Sequence, residues 1–289
     1  MPRTIIKERF KSLTNLIDTM EERPLNAAFK GLNDIPSSQR DESEKKEKGR
    51  ASWSGSYTYE ETKETLRSGY KDPLDKLKKA VLKTGQKDNY QRPRTHNDFV
   101  GFAAHVPNTL MGLPQTMINR PKSQAKAKTI HLLYSFCAAS TTTTDDLIKG
   151  GVNFISLANS LEKQGYRVKI DVIFTTMESK TAASFTVNLK EYGQHMNLLK
   201  LAYPLVHPGM LRRLAFKWLE TTPSLKDKSF IHGYGQPLNF AMGNNIERER
   251  EFLAENEIIG KENTFYCNVY QAIKAKDLND LAKAMKIIK

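Results

Sequence analysis

Cysteine is nearly absent from this sequence. Cys137 and Cys267 are the two in 289 residues, and neither has a second Cys or a His at metal-ligand spacing. That excludes a disulfide framework and a zinc site of common spacing, so both thiols, set in apolar strand-like runs, are expected to be reduced core groups. Long apolar runs are missing as well. No stretch approaches the roughly 18 residues a membrane span needs, and the start, MPRTIIKERFKSL, lacks a signal peptide's apolar centre and cleavage site. The expectation is a cytoplasmic chain with no membrane partner. Catalytic signatures are equally sparse. There is no Walker A loop, since KGGVN (Lys149 to Asn153) falls inside a predicted helix and lacks the Lys-Ser/Thr ending, and there is no GxSxG, HExxH or HxE with CxxC. No catalytic residue, metal or cofactor is therefore assigned, and the reading leans away from an enzyme.

What is abundant is positive charge. The chain carries 45 Lys+Arg against 32 Asp+Glu, a net +13. Residues 1–128 hold 25 of the basic and 16 of the acidic side chains, so most of the excess lies in the N-terminal part. With 39% hydrophobic residues there is material for one good core.

Periodicity divides the chain into four parts. Ile6, Phe10, Leu13, Ile17 and Met20 recur at helical steps up to Pro24, which predicts an amphipathic helical arm within residues 1–35, with a short second helix from Leu25 to about Leu32. Residues 36–50, PSSQRDESEKKEKGR, read as a charged linker. Residues 51–128 read as a helical and irregular segment packed on the core. It has a Thr58-capped helix ended by Gly69, a helix from Pro73 to Leu82 with Leu74, Leu77, Val81 and Leu82 inward, a stretch from Arg92 too apolar to be free, and a short helix near Leu113 to Ile118.

From Thr129 the pattern is regular. IHLLYSF, a helix from Leu147 to Leu161 stopped by Gly165, and RVKIDVIFTT form a strand-helix-strand unit of the length and order of a parallel βαβ crossover. Ala183 to Lys190 alternates like a half-exposed strand. Two helices (197–206 and 208–220), a solvated ERERE helix, a late strand NTFYCNVY and an Asp277-capped terminal helix follow. Residues 129–289 are therefore expected to be an α/β core of Rossmann-like type, a mostly parallel sheet flanked by helices.

The most site-like position is the loop after the first core strand, because ligands of open α/β sheets sit beyond the carboxyl ends of strands, beside helix N-termini. Ser140, Thr141, Thr142, Thr143, Asp145 and Asp146 could offer hydroxyls and carboxylates there; equally, Thr143 and Asp146 could be a capping box. His207 could share a polar site with Arg212, Arg213 and Glu220, or simply bond a loop carbonyl while the arginines face solvent. Lys76, Lys78, Lys79, Lys83, Lys87, Arg92 and Arg94, interleaved with Tyr70, Tyr90 and Phe99, could contact nucleic acid nonspecifically, or could be a solvated face.

Several elements carry a resemblance. They are Trp53-Ser54-Gly55 with Gly69; Gly101-Phe102 through Met111-Gly112 with Pro114 and Met117-Ile118; the strand-helix-strand from Ile130 to Phe174; His207-Pro208 with Met210-Leu211-Arg212-Arg213 and Glu220; and Gly233-Tyr234-Gly235 with Pro237. Together, over about Ser52 to Leu238, they resemble a phage-encoded family of unknown function. The resemblance implies a phage gene product in the host cytoplasm or packaged in the virion, with no activity to transfer. The central unit also resembles a von Willebrand factor A domain, whose DxSxS metal loop would fall on Ser135, Cys137 and Ala139, so a degenerate metal site is implied.

Two functions are expected from this. The first is a non-enzymatic protein-binding or assembly module, using the strand-end crevice and the N-terminal arm for a protein partner or self-assembly. The alternative is a basic nucleic-acid-binding protein of phage replication, transcription or packaging. An enzyme would require His207, Arg213 and Asp145 or Asp146 to converge on one pocket.

Overall fold

Strand alternation decides where the core lies. In β5 (Thr129–Ser135), Ile130, Leu132 and Tyr134 enter one apolar cluster while Leu133 enters a second on the opposite face. A strand covered on both sides must be apolar almost throughout, which is why IHLLYSF is a continuous run. The computed structural model describes residues 4–26, 36–41, 54–83, 96–119, 128–178, 181–225, 237–238, 242–260 and 263–288.

The chain order is β1 (Thr4–Phe10), α1 (Leu13–Glu22), α2 (Tyr59–Ser68), α3 (Leu74–Lys83), β2 (His96–Asp98), β3 (Ala103–Ala104), α4 (Val106–Leu110) and β4 (Met117–Asn119). After β5 come α5 (Thr144–Lys163), β6 (Arg167–Glu178), β7 (Thr181–Lys190) and α6 (Leu198–Val206). A π-helical turn (Met210–Ala215) runs into α7 (Phe216–Thr221), and α8 (Ile246–Glu255), β8 (Thr264–Asn268), α9 (Val269–Lys274) and α10 (Leu278–Ala284) complete the chain.

Five strands form the central sheet in the order β1-β7-β6-β5-β8. The β5/β6, β5/β8 and β1/β7 pairs are parallel and β6/β7 is antiparallel, so the fold is α/β with a mostly parallel sheet flanked by helices. The β5-α5-β6 crossover stands as the sequence predicts. β7 is not half-exposed, however. It lies between β1 and β6, and both of its faces are covered.

The N-terminal arm needs the larger correction. Thr4–Phe10 is not helical and not separable, because it pairs along its whole length with Thr181–Val187 as an edge strand. Ile6 and Phe10, four apart, share one face of a strand as readily as one face of a helix, and the β-branched Thr4-Ile5-Ile6 favours the extended form. Ser12 then starts α1, its hydroxyl accepting from Asn15 N at 3.1 Å, and Leu13, Leu16, Ile17 and Met20 are buried. The beginning of the expected linker is also docked, with Pro36 and Ser38 buried. Residues 42–50 and 27–32 lie outside the described residues.

Within 51–128, α3 packs on α5 and α6 through Leu77, while Leu82 points outward at 76% exposure. The stretch 96–119 does not wrap on the core as expected. It forms its own antiparallel sheet, in the order β2-β4-β3, with its helix at Val106–Leu110 and a strand where the helix near Leu113 to Ile118 was predicted.

Candidate functional site

The loop at the carboxyl end of β5 is built by a helix cap. Asp146 N donates to Thr143 Oγ1 at 3.2 Å, and Thr143 N donates to Asp146 Oδ2 at 3.4 Å, closing the capping box that starts α5. Ser140 and Thr141 are exposed, and Thr142 is half-buried. Asp145 projects into solvent 3.8 Å from Lys76 of α3. Behind this loop the strand end is filled, not open. A void of about 10 Å³ remains among Tyr134, Phe136, Leu147, His207, Leu211 and Arg212, space for one water at most.

Arg212 and His207 border that void in different roles. Arg212 Nη2 donates to Ala139 O at 3.2 Å, and Ala139 N donates to the Tyr270 hydroxyl at 2.7 Å, so the loop backbone is clamped from both sides. Burial lowers Arg212 to about 10, opposed by Tyr270. His207 is stacked on Tyr203 at 4.5 Å and met edge-on by Tyr70 at 4.6 Å; its Nδ1 accepts from Gly209 N at 3.0 Å. Burial lowers its pKa to about 4, against a backbone hydrogen bond with Gly55, so the ring is neutral at physiological pH.

Arg213 and Glu220 are buried, not solvent-facing. Arg213 Nη1 donates to Ser38 O (3.0 Å) and Arg40 O (2.8 Å), and its Nη2 to Ser56 O (2.9 Å) and Tyr57 O (2.8 Å). Glu220 accepts from Ser38 N at 3.0 Å and from the Ser38 hydroxyl. One guanidinium thus ties residues 36–41 and 54–57 to the π-helical turn. The signal was present: Met210, Leu211, Leu214, Phe216, Trp218 and Leu219 leave this stretch with no wide polar face, and Arg212, Arg213 and Glu220 are buried among them. His207 and Arg212 meet at the void, while Arg213 reaches the Ser38 segment and Asp145 reaches solvent. The three-residue convergence an enzyme at this site would need is not formed.

A polar row that sequence reasoning missed crosses four strands on the second face of the sheet. His131 Nε2 lies 2.9 Å from Asp171 Oδ2, Asn188 Nδ2 donates to Asp171 Oδ1 at 2.7 Å, and His131 Nδ1 lies 3.2 Å from Thr264 Oγ1. Only register joins β8, β5, β6 and β7 at this level, so no local motif announces it. Nearer the carboxyl ends, Glu249 of α8 is buried and receives Asn268 Nδ2 at 2.9 Å, and burial raises it to about 7. The ERERE helix is therefore not wholly solvated.

Among the described residues, no group of three His, Cys, Asp or Glu could hold a metal ion. At the positions implied for an A-domain loop, Ser135 and Cys137 are buried, and burial pushes the Cys137 thiol up to about 12.

Of the basic candidates, Lys76, Lys78 and Lys79 are exposed on α3, and Lys83 ends that helix. Lys87, Arg92 and Arg94 lie outside the described residues, as does the Gly233 to Gly235 loop. The most unusual surface is the 96–119 sheet. None of its side chains is buried, and Phe99, Val100, Phe102, Val106, Leu110, Met111 and Leu113 are all exposed, Leu110 to 82%. Its one formal charge is Asp98. Backbone bonds shape it: Phe102 N donates to Ile118 O at 3.0 Å and His105 N to Thr116 O at 2.7 Å.

Among the described residues no helix is long and apolar enough to cross a membrane. No curated protein and no solved structure matches the chain. A family model described as a domain of unknown function (DUF7192) matches residues 2–281, and the chain belongs to that family.

Proposed function

We propose that the protein is a binding or assembly module that engages a protein partner through the 96–119 sheet. The observation that carries this is the group of seven exposed apolar side chains on a small sheet with no buried residue. A sheet of three short strands has too little interior to stand alone, and an exposed apolar patch of this size marks an interaction surface. With Asp98 as its one formal charge and no Lys or Arg, the sheet lacks what phosphate contact requires. The occupant that fits is an apolar, weakly charged protein groove. The setting we assign is a phage gene product, in the host cytoplasm or virion, on the resemblance of the His207–Arg213 and Gly101–Ile118 elements. Its A-domain-like sheet would serve as scaffold, with a degenerate metal loop at Ser135, Cys137 and Ala139.

The test replaces Phe99, Phe102 and Leu110 by Ser in the full chain. A partner copurifying with the parent, then reconstituted from purified components, should be lost from the variant and should slow amide exchange across 96–119. Unchanged partners and oligomeric state would overturn the reading. The alternative, nucleic-acid binding, draws on the exposed Lys76, Lys78 and Lys79. It requires binding that falls steeply with salt and is reduced by reversing Lys78 and Lys79.

A further inference from the structure

We propose that the groove between α5 and α10 is a seat for the 96–119 sheet of the same chain, so that the apolar surface offered to a partner is held in reserve. The inference rests on the partner reading above and names what regulates that surface. The groove has a volume of about 770 Å³. Val152, Leu157 and Leu161 of α5, Leu278 and Ala282 of α10, and Ile287 beyond it supply the apolar wall. Lys276 and Asp277 are the only formal charges among the residues lining it, and they cancel. Seating a surface whose one charge is Asp98 therefore desolvates almost no ions. The wall also holds the Ser156 hydroxyl, buried and without a hydrogen-bond partner among the described residues, which a finished protein interior rarely leaves.

Covalent connection favours this occupant over any other. Ala80, on the rim, lies one turn before Lys83, where α3 ends and residues 84–95 lead to β2. Gln164, also on the rim, lies three residues before Arg167, whose N–H donates to Lys128 O at 2.9 Å, where residues 120–127 lead back from β4. The sheet thus leaves and rejoins the core beside the groove. Chain lengths of 12 and 8 residues reach at most about 43 Å and about 29 Å, so neither connection carries the sheet far from it. Held on that span, the sheet meets the groove at an effective concentration on the order of mM, which a second copy in dilute solution does not match.

The knob that fits is α4 with the turn after it. Val106 and Leu110, four residues apart, share one face of the helix and are 60% and 82% exposed. Met111 and Leu113 follow, exposed as well. This structure holds the open form, so seating is shallow: seated and open chains are comparable in population, and loss of seating barely moves the unfolding midpoint. A partner meets only the open fraction, and its apparent Kd rises in inverse proportion to that fraction.

The test is bismaleimide cross-linking of the full chain, because Cys137 and Cys267 are buried and leave introduced thiols to react alone. Thr109→Cys, beside Leu110, is combined with Asn279→Cys on the groove, or with Arg9→Cys on β1, the edge strand farthest from β8. All three positions are exposed. The Asn279 pair should bridge at least about 10-fold faster than the Arg9 pair, at the mass of a single chain, as a high local concentration requires. Val106→Ser with Leu110→Ser, or Ile288→Lys on the groove, should bring that rate down to the rate of the Arg9 pair; these side chains are exposed, so the fold tolerates the changes. Equal rates for the two pairs, a rate unmoved by those substitutions, or bridges found chiefly at the mass of a dimer would overturn the proposal, the last by assigning the groove to a second copy. Failure here leaves the partner reading standing, since loss of a copurifying partner from the Phe99, Phe102 and Leu110 variant is measured separately.

Discussion

The imidazole of His207 occupies the space that a side chain on Gly55 would need. A Cβ at Gly55 would lie 2.8 Å from His207 Cε1 and 3.1 Å from Pro208 Cδ, and the glycine sits at φ 74°, where an L side chain is strained. Gly55→Ala should therefore destabilise the protein by about 2 kcal/mol or more, from backbone strain and displacement of a packed ring. Urea unfolding of the two proteins measures it, and an unchanged midpoint would contradict the packing described.

Arg213 predicts a larger and more local effect. Arg213→Ala abandons four carbonyl acceptors and empties a buried site, which should cost about 3 to 5 kcal/mol. Amide exchange should accelerate first at 36–41 and 54–57, the segments it holds.

Burial acts on His207 and Glu249 with opposite effects on pH dependence. His207 falls to about 4 from an ordinary 6.5, so the unfolded chain takes up its proton first. That contribution to stability is present above pH 6.5 and is lost as pH falls toward 4. Glu249 rises to about 7 from 4.5, so its contribution is present below pH 4.5 and is lost as pH rises through 7. Between about pH 4.5 and 6.5 the two slopes oppose each other. Glu249→Gln should remove one of them: stability at pH 8 should be retained or increased, and a clear decline should emerge between pH 6.5 and 4. Thermal melts across this range decide it, and a variant as flat as the parent would argue against a buried neutral His207.

Hydrophobic substitutions should divide by exposure, not by residue type. Leu110→Ser, at a side chain 82% exposed, should change stability by less than about 0.5 kcal/mol. Leu77→Ser, at a fully buried leucine between α3 and the helices beneath it, should cost about 3 kcal/mol or more. The contrast, read from denaturant midpoints, separates the 96–119 surface from the core.

Both thiols should resist modification in the folded protein. Cys137 and Cys267 are buried, and burial pushes each up to about 12, leaving almost no thiolate at neutral pH. Reaction with a thiol reagent should be slow natively and should count two groups in denaturant.

What sequence alone determined here is local. Thr58, Thr143 and Asp277 cap the helices expected of them because a cap acts within four residues, and β5-α5-β6 is legible because hydrophobic period and stop signals need no distant partner. Few cysteines foretold two free thiols for the same reason. The tertiary structure decided the rest. Ile6 and Phe10 satisfy either a helix or a strand, and the open edge of β7 resolved the choice. Arg213 became buried because two segments more than 150 residues away brought it their carbonyls. His131 and Asp171, 40 residues apart, meet only because parallel register aligns their strands, and Thr264 joins them from 133 residues away. Such contacts belong to the sheet, and no window of sequence contains them.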